Sequence, residues 1–262
     1  MSDPTRFDLD ERQRAMLAEM GVRVWWPQAP VEAAPAPAVT AQVAQRPAPV
    51  QVPRPVNQVV ATLPDAAVPL PAVVGQMDWD SLQATVAECT ACGLCQGRKG
   101  AVFGVGERNA DWMVIGEAPD EQEDLQGEPF VDQSGKLLDN MLKAIGLSRQ
   151  AQGPAGVYVT NILKCRPSGS RNPEPLELQT CAPYLERQVA LVQPKIILAM
   201  GRFAVQSLLQ STEPIGKLRG RVHQAHGVPV VVTYHPAYLL RNPADKAKAW
   251  ADLLLALKTV QG

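Results

Sequence analysis

Trp112-Met113-Val114-Ile115-Gly116-Glu117-Ala118-Pro119-Asp120 is an apolar run of strand length that stops at a glycine and gives way to two carboxylates around a proline. A short apolar run closed by a turn signal suits a strand buried on both faces. Runs of the same kind recur at residues 157–160, 196–200 and 228–233. Helical periodicity fills the intervals. Ser134 can cap a helix carrying Leu137, Leu138, Met141, Leu142 and Ile145, and residues 175–192, 202–209 and 244–260 supply three more. Strands and helices in alternation, with the strands apolar throughout, predict an α/β fold with a parallel sheet covered on both faces.

In such a sheet ligands bind beyond the carboxyl ends of the strands, so the residues after each strand are where function is expected. They are Gly116-Glu117-Ala118-Pro119-Asp120 after the first, Asn161 at the end of the second, Gly201-Arg202 after the third and Tyr234-His235-Pro236 after the fourth. A carboxylate, an amide and an imidazole are therefore expected in one crevice.

Outward from this region the chain changes character. Its 262 residues carry 25 Lys+Arg and 26 Asp+Glu, which balance overall but not locally. Residues 107–141 hold ten acids and two bases, whereas residues 160–262 hold thirteen bases and six acids. A C-terminal portion of about +7 offers an electrostatic footprint for a phosphate backbone. Eleven of the 24 prolines lie in residues 27–75, interleaved with Ala and Val. Proline fixes φ and removes donors, so residues 27–76 are expected to be a disordered, semi-rigid linker. Ahead of it, residues 1–26 are expected to form a short helix over 9–20 followed by Trp25-Trp26, a segment suited either to docking a protein partner or to folding back on the main domain. Residues 77–262 then form the main domain, expected to be a monomer. No run of about 20 apolar residues is present for a membrane span. The N-terminus has no basic flank before an apolar run, so the expected location is the cytoplasm, near the nucleoid.

Five cysteines in a reducing compartment point to metal or catalysis rather than to disulfides. Cys89, Cys92 and Cys95 make two overlapping C-x-x-C steps, and Cys165 and Cys181 follow far down the chain. One turn of chain can present two sulfurs to one centre, and the spacing suits zinc and iron-sulfur clusters alike. Four thiolates close such a site, so one cysteine is surplus.

Taken together, Cys89-Thr90-Ala91-Cys92, Phe103-Gly104-Val105-Gly106, Gly116-Glu117-Ala118-Pro119, Gly127-Glu128-Pro129-Phe130-Val131, Gly135-Lys136-Leu137-Leu138, Thr160-Asn161-Ile162-Leu163-Lys164-Cys165-Arg166-Pro167, Cys181 and His235-Pro236-Ala237-Tyr238-Leu239-Leu240-Arg241-Asn242-Pro243 resemble the family 4, iron-sulfur uracil-DNA glycosylases of bacteria and archaea. The resemblance implies a three-layer α/β/α domain with a central, mainly parallel four-stranded sheet. It implies excision of uracil from single- or double-stranded DNA in base excision repair. It also implies one structural 4Fe-4S cluster on Cys89, Cys92, Cys165 and Cys181, with Cys95 spare.

Roles follow from the same resemblance. His235 donates to the departing uracil, Asn161 reads its edge, Phe130 stacks on the base beside Ala118 and Pro119, and Tyr238, Leu239 and Leu240 lie on a loop that wedges into the duplex, with Arg241 on phosphate. The chain has Asp120 and Asp132 where the family commonly has glycine. Asp120 stands where cluster-free relatives carry a tyrosine that blocks thymine, so it is either that gate or a charge near the sugar; Glu117 and Asp120 are the candidates for orienting water. A branch that traps DNA through a histidine in the loop before Cys181 is disfavoured, because residues 166–180 contain no histidine. The competing class is a non-catalytic iron-sulfur module that binds DNA or a polymerase.

Overall fold

The computed structural model describes residues 73–261. The expected N-terminal helix, Trp25-Trp26 and most of the proline-rich linker lie outside the described residues. Within them, Val74 is 1% exposed and belongs to the core, so packing begins ahead of Met77.

The chain runs α1 (Trp79–Glu88), β1 (Val105–Gly106), β2 (Trp112–Gly116), α2 (Glu121–Gln126), α3 (Asp132–Ala144), β3 (Val157–Asn161), α4 (Pro175–Val192), β4 (Ile196–Met200), α5 (Arg202–Leu209), α6 (Ile215–Leu218), β5 (Val222–Ala225), β6 (Val228–Thr233), α7 (Pro236–Arg241) and α8 (Lys246–Gln261). The strands form one six-stranded sheet in the order β1-β3-β2-β4-β6-β5. The four expected strands are its centre, and all are parallel. Two antiparallel edges extend it. One is a hairpin, β5 to β6, closed by His226 (φ 50°) and Gly227 (φ 75°). Two left-handed residues give the turn whose twist matches the flanking strands.

Side chains alternate between two cores, as a period of two requires. Met113, Ile115, Ile197, Ala199, Val230 and Val232 pack against α1, α4 and α5, whereas Trp112, Val114, Ile196, Leu198 and Val231 pack against Leu138 and Leu142 of α3 and Leu253 and Ala256 of α8. β2, β3 and β4 are buried at every residue, which is why they are apolar except where Thr160 and Asn161 end β3.

Three local expectations change. α3 begins at Asp132 with Val131 as its cap, and Ser134 bonds back to the Val131 carbonyl from inside the first turn. α8 begins at Lys246, because Pro243–Asp245 first makes a 3₁₀ turn. Tyr238, Leu239 and Leu240 are on a helix rather than a loop: His235 caps α7 and Pro236 occupies its first position, where its missing N–H costs no bond.

From β2 the chain connects to β3 on one side, then crosses back to β4 on the other. The crevice at this reversal lies beyond the carboxyl ends of β2 and β4, where Glu117 and Arg202 emerge.

Candidate active site

A cavity of about 620 Å³ opens at that crevice. Glu117, Ala118, Asp120, Glu123, Arg202, Tyr234, His235, Tyr238 and Arg241 are among its walls. Pro119 faces an adjoining side pocket with Arg166 and Arg171. Asn161 and Phe130 stand behind the wall, 1% and 0% exposed. Leu239 is also in the interior, at 1%, and cannot wedge into DNA from there; Leu240, 42% exposed, is the residue of α7 that can. Tyr238 stacks on Tyr234 and donates its hydroxyl to Asp245.

His235 is placed by the end of β6 and the start of α7. Its Nδ1 accepts the Ala237 N–H at 3.2 Å, which assigns the ring proton to Nε2. Burial, and secondarily the charge of Arg241, pull its pKa down to about 4. It is therefore a neutral donor at physiological pH. Its ring stacks on Phe130, centroids 5.1 Å apart and planes 21° from parallel.

The acids differ in their partners. Asp120 caps α2, its Oδ1 accepting the N–H groups of Gln122 and Glu123 at 2.9 Å each, and it also lines the cavity. Glu117 faces the cavity and accepts the Phe203 N–H at the N-terminus of α5 at 2.8 Å. Burial raises its pKa, opposed by that hydrogen bond and by Arg202.

Glu123, which the sequence reading passed over, is the central carboxylate. It is 5% exposed, accepts the N–H groups of Asp120 and Phe130 and receives the Asn161 Nδ2 at 3.5 Å. Burial lifts its pKa to about 7 despite these donors. The spacing Asp120-x-x-Glu123 is a capping box, and that signal was available in the sequence. Behind Asn161, the buried Lys164 ammonium bonds the Asn161 carbonyl, Thr160 Oγ1 and Gln188 Oε1 and so closes the end of β3.

A second cluster lies apart from this cavity. Cys89, Cys92, Cys165 and Cys181 line one small cavity with Val86, Leu94, Leu163 and Tyr184, and Cys95 is not among its walls. Burial raises the Cys92 and Cys165 thiols, and the Cys181 thiol to about 12. Arg98 Nη1 lies 2.8 Å from Cys165 Sγ, and the Tyr184 hydroxyl donates to Cys89 Sγ at 3.3 Å. These donors suit sulfurs that become anionic.

The family model for the uracil DNA glycosylase superfamily matches residues 103–254. The chain is 39% identical over 181 residues to a type-4 uracil-DNA glycosylase of Archaeoglobus fulgidus, covering 66% of this chain and 88% of that protein. It is 42% identical over 173 residues to the type-4 enzyme of Saccharolobus solfataricus, covering 63% and 78%. A bacterial relative, the type-4 enzyme of Thermotoga maritima, is 36% identical over 165 residues, covering 62% and 83%. The chain belongs to the uracil DNA glycosylase superfamily. Within that superfamily its resemblance is to the type-4 enzymes, and the matched residues span the whole cavity just described. Among the described residues no helix is long and apolar enough to cross a membrane.

Two predictions follow from this geometry. A Cβ at Gly116 would fall on the Asn161 amide oxygen and within 2.5 Å of the Phe130 ring. Gly116→Ala is therefore expected to cost roughly 1–3 kcal/mol of stability, measured by urea denaturation, and to lower excision. Glu123 has a folded-state pKa of about 7, above its ordinary 4.5, so folding takes up a proton between those values. Its contribution to stability consequently falls as pH rises through that window. Thermal melts between about pH 5 and about pH 8 should lose less stability in Glu123→Gln than in the unsubstituted protein; equal pH dependence would refute the assignment.

Proposed function

We propose that the protein extrudes uridine from DNA into the cavity beyond β2 and β4, hydrolyses the uracil N-glycosidic bond and leaves an abasic site, as the first step of base excision repair. The observation that carries this reading is the neutral, Nε2-protonated His235 facing a nucleotide-sized cavity.

Breaking the bond leaves positive charge on the sugar and negative charge on the uracil oxygens. A fixed neutral donor at the base oxygen stabilises that anion without an ionised imidazole. Asn161 carries one donor and one acceptor, matching the N3–H and O4 of uracil and opposing the cytosine edge. Its Nδ2 has a second proton free of Glu123. Phe130 and Asn161 form an inner layer behind the cavity wall, with the Phe130 ring stacked on the His235 imidazole. Ala118, whose side chain is one methyl group, keeps the approach open.

For the water, the candidates are Glu117 and Asp120, which both line the cavity, each with one carboxylate oxygen held by backbone N–H groups at a helix start. Arg202 and Arg241 at the rim suit phosphates, and exposed Leu240 suits the gap left by the extruded nucleotide. The activity applies to single- or double-stranded DNA.

Cys89, Cys92, Cys165 and Cys181 would hold the 4Fe-4S cluster. The donor set suits such a group: the four thiols line one cavity, and Arg98 and the Tyr184 hydroxyl lie against two of the sulfurs. The cluster would supply covalent ties between the segment after α1, the end of the β3 loop and α4. The proposed setting is a monomer in the cytoplasm, with residues 9–26 as the segment that docks a partner.

Two experiments test this reading. His235→Ala should lower single-turnover excision by about 10²-fold or more with DNA affinity retained, measured by alkaline cleavage of uracil-containing strands; an undiminished rate would remove the leaving-group assignment. Anaerobically purified protein should be brown and contain iron and sulfide, with the colour lost in Cys165→Ser and kept in Cys95→Ser. A colourless, zinc-loaded protein would overturn the cluster.

A further inference from the structure

Phe130 has a backbone conformation that L-residues rarely adopt, with φ +53°, and Asp132 two residues on has φ +60°. Such a peptide persists only where its surroundings over-determine it. Both polar groups of Phe130 are in fact held. Its N–H is taken by the Glu123 carboxylate, and its carbonyl accepts Arg149 Nη2 at 2.9 Å. Arg149 also donates Nη1 to the Pro129 carbonyl at 3.0 Å. The remaining edge of the guanidinium pairs with Asp139 of α3, Nε to Oδ1 at 2.8 Å and Nη2 to Oδ2 at 3.0 Å. The Arg149 side chain is 11% exposed and takes no part in the cavity wall.

The fork of the guanidinium thus spans two successive carbonyls and a carboxylate, a pattern that an ammonium cannot reproduce. Its reach extends to the site through one ring, since Phe130 lies directly beneath the His235 imidazole. Gly135 completes the clamp: a Cβ there would collide with the Phe130 carbonyl, so α3 approaches this peptide as closely as backbone allows.

We propose that Arg149 is a positioning residue for uracil excision: from outside the cavity it fixes the strained Pro129-Phe130 peptides and so sets the plane on which the His235 imidazole and the extruded base rest. The proposal rests on the reading of Phe130 as the floor of the base site. It assigns Arg149 no contact with DNA. Loss of the clamp therefore acts on the chemical step and on base binding, not on capture of the DNA backbone.

The test uses the full chain with Arg149→Met, Arg149→Lys, Asp139→Asn and Phe130→Ala. Single-turnover excision at saturating enzyme, inhibition by free uracil, and affinity for DNA carrying a tetrahydrofuran abasic analogue are measured for each, with cooperative thermal melts as the control for folding. Arg149→Met and Arg149→Lys should both lose roughly tenfold to a hundredfold in rate, the scale expected of a slightly displaced catalytic group, with weaker inhibition by uracil and unchanged affinity for abasic DNA. Asp139→Asn keeps both carbonyl bonds and should stay near the unsubstituted rate. If Asp139→Asn falls as far as Arg149→Met, Arg149 is only a tether for α3, and the proposal fails. A full rate in Arg149→Lys overturns it as well, even if Arg149→Met does not fold. Phe130→Ala separates the two layers of the argument. Unchanged uracil inhibition in that variant refutes the base-floor reading itself, whereas a loss there with none in Arg149→Lys refutes Arg149 alone.

Discussion

One buried carboxylate joins the parts of this molecule that have to act together. Glu123 receives N–H groups from the cap of α2 and from the Phe130 peptide, and the amide of Asn161 from the end of β3. These donors come from three segments separated in sequence and from both sides of the parallel β2–β3 register, in which Gly116 stands opposite Asn161. A carboxylate taken out of water needs such donors to stay in place. Burial still wins over them to the extent of lifting its pKa to about 7. The group is thus held geometrically by hydrogen bonds and made sensitive to pH by desolvation.

That arrangement explains the unusual backbone beside it. A left-handed phenylalanine is unfavourable in isolation, and here it is gripped at its N–H and its carbonyl. Asp132, where the family resemblance implies a glycine, has a φ of +60°, a conformation that glycine adopts freely. Asp is among the few other residues that tolerate it, since its short side chain bonds locally. The outcome is an aromatic floor beneath a neutral imidazole, with His235 itself fixed by the first turn of α7.

The cysteine cavity obeys a different logic. Its walls come from the end of α1, the turn after it, the β3 exit and α4, elements far apart along the chain. Covalent ties across such separations restrict the unfolded chain more than local ones do. Cys165 directly follows Lys164, whose ammonium holds the Asn161 carbonyl. A cluster there would stiffen the same strand end that carries the Asn161 amide.

The sequence by itself determined the four parallel strands, the helices that cover them, the ends at which polar residues emerge and the family resemblance, because buried strands must be continuously apolar and ligand groups must follow them. It left one of the five cysteines surplus, and the family resemblance implied that this one is Cys95. It did not reveal the β5 hairpin, whose exposed residues carry no apolar run and whose turn depends on left-handed backbone at His226 and Gly227. Nor could it tell that Leu239 points inward while Leu240 points out, since both follow His235 and differ only by a hundred degrees of helix. What each acid bonds to was likewise decided by tertiary structure. Asp120 and Glu117 look equivalent as side chains after a strand, but Asp120 is turned toward its own helix and Glu117 toward the N-terminus of α5. Glu123 and Arg149 acquire their meaning only when segments remote in sequence bring N–H groups and carbonyls to them. Most of their partners are backbone atoms, which every residue carries and no residue pattern records.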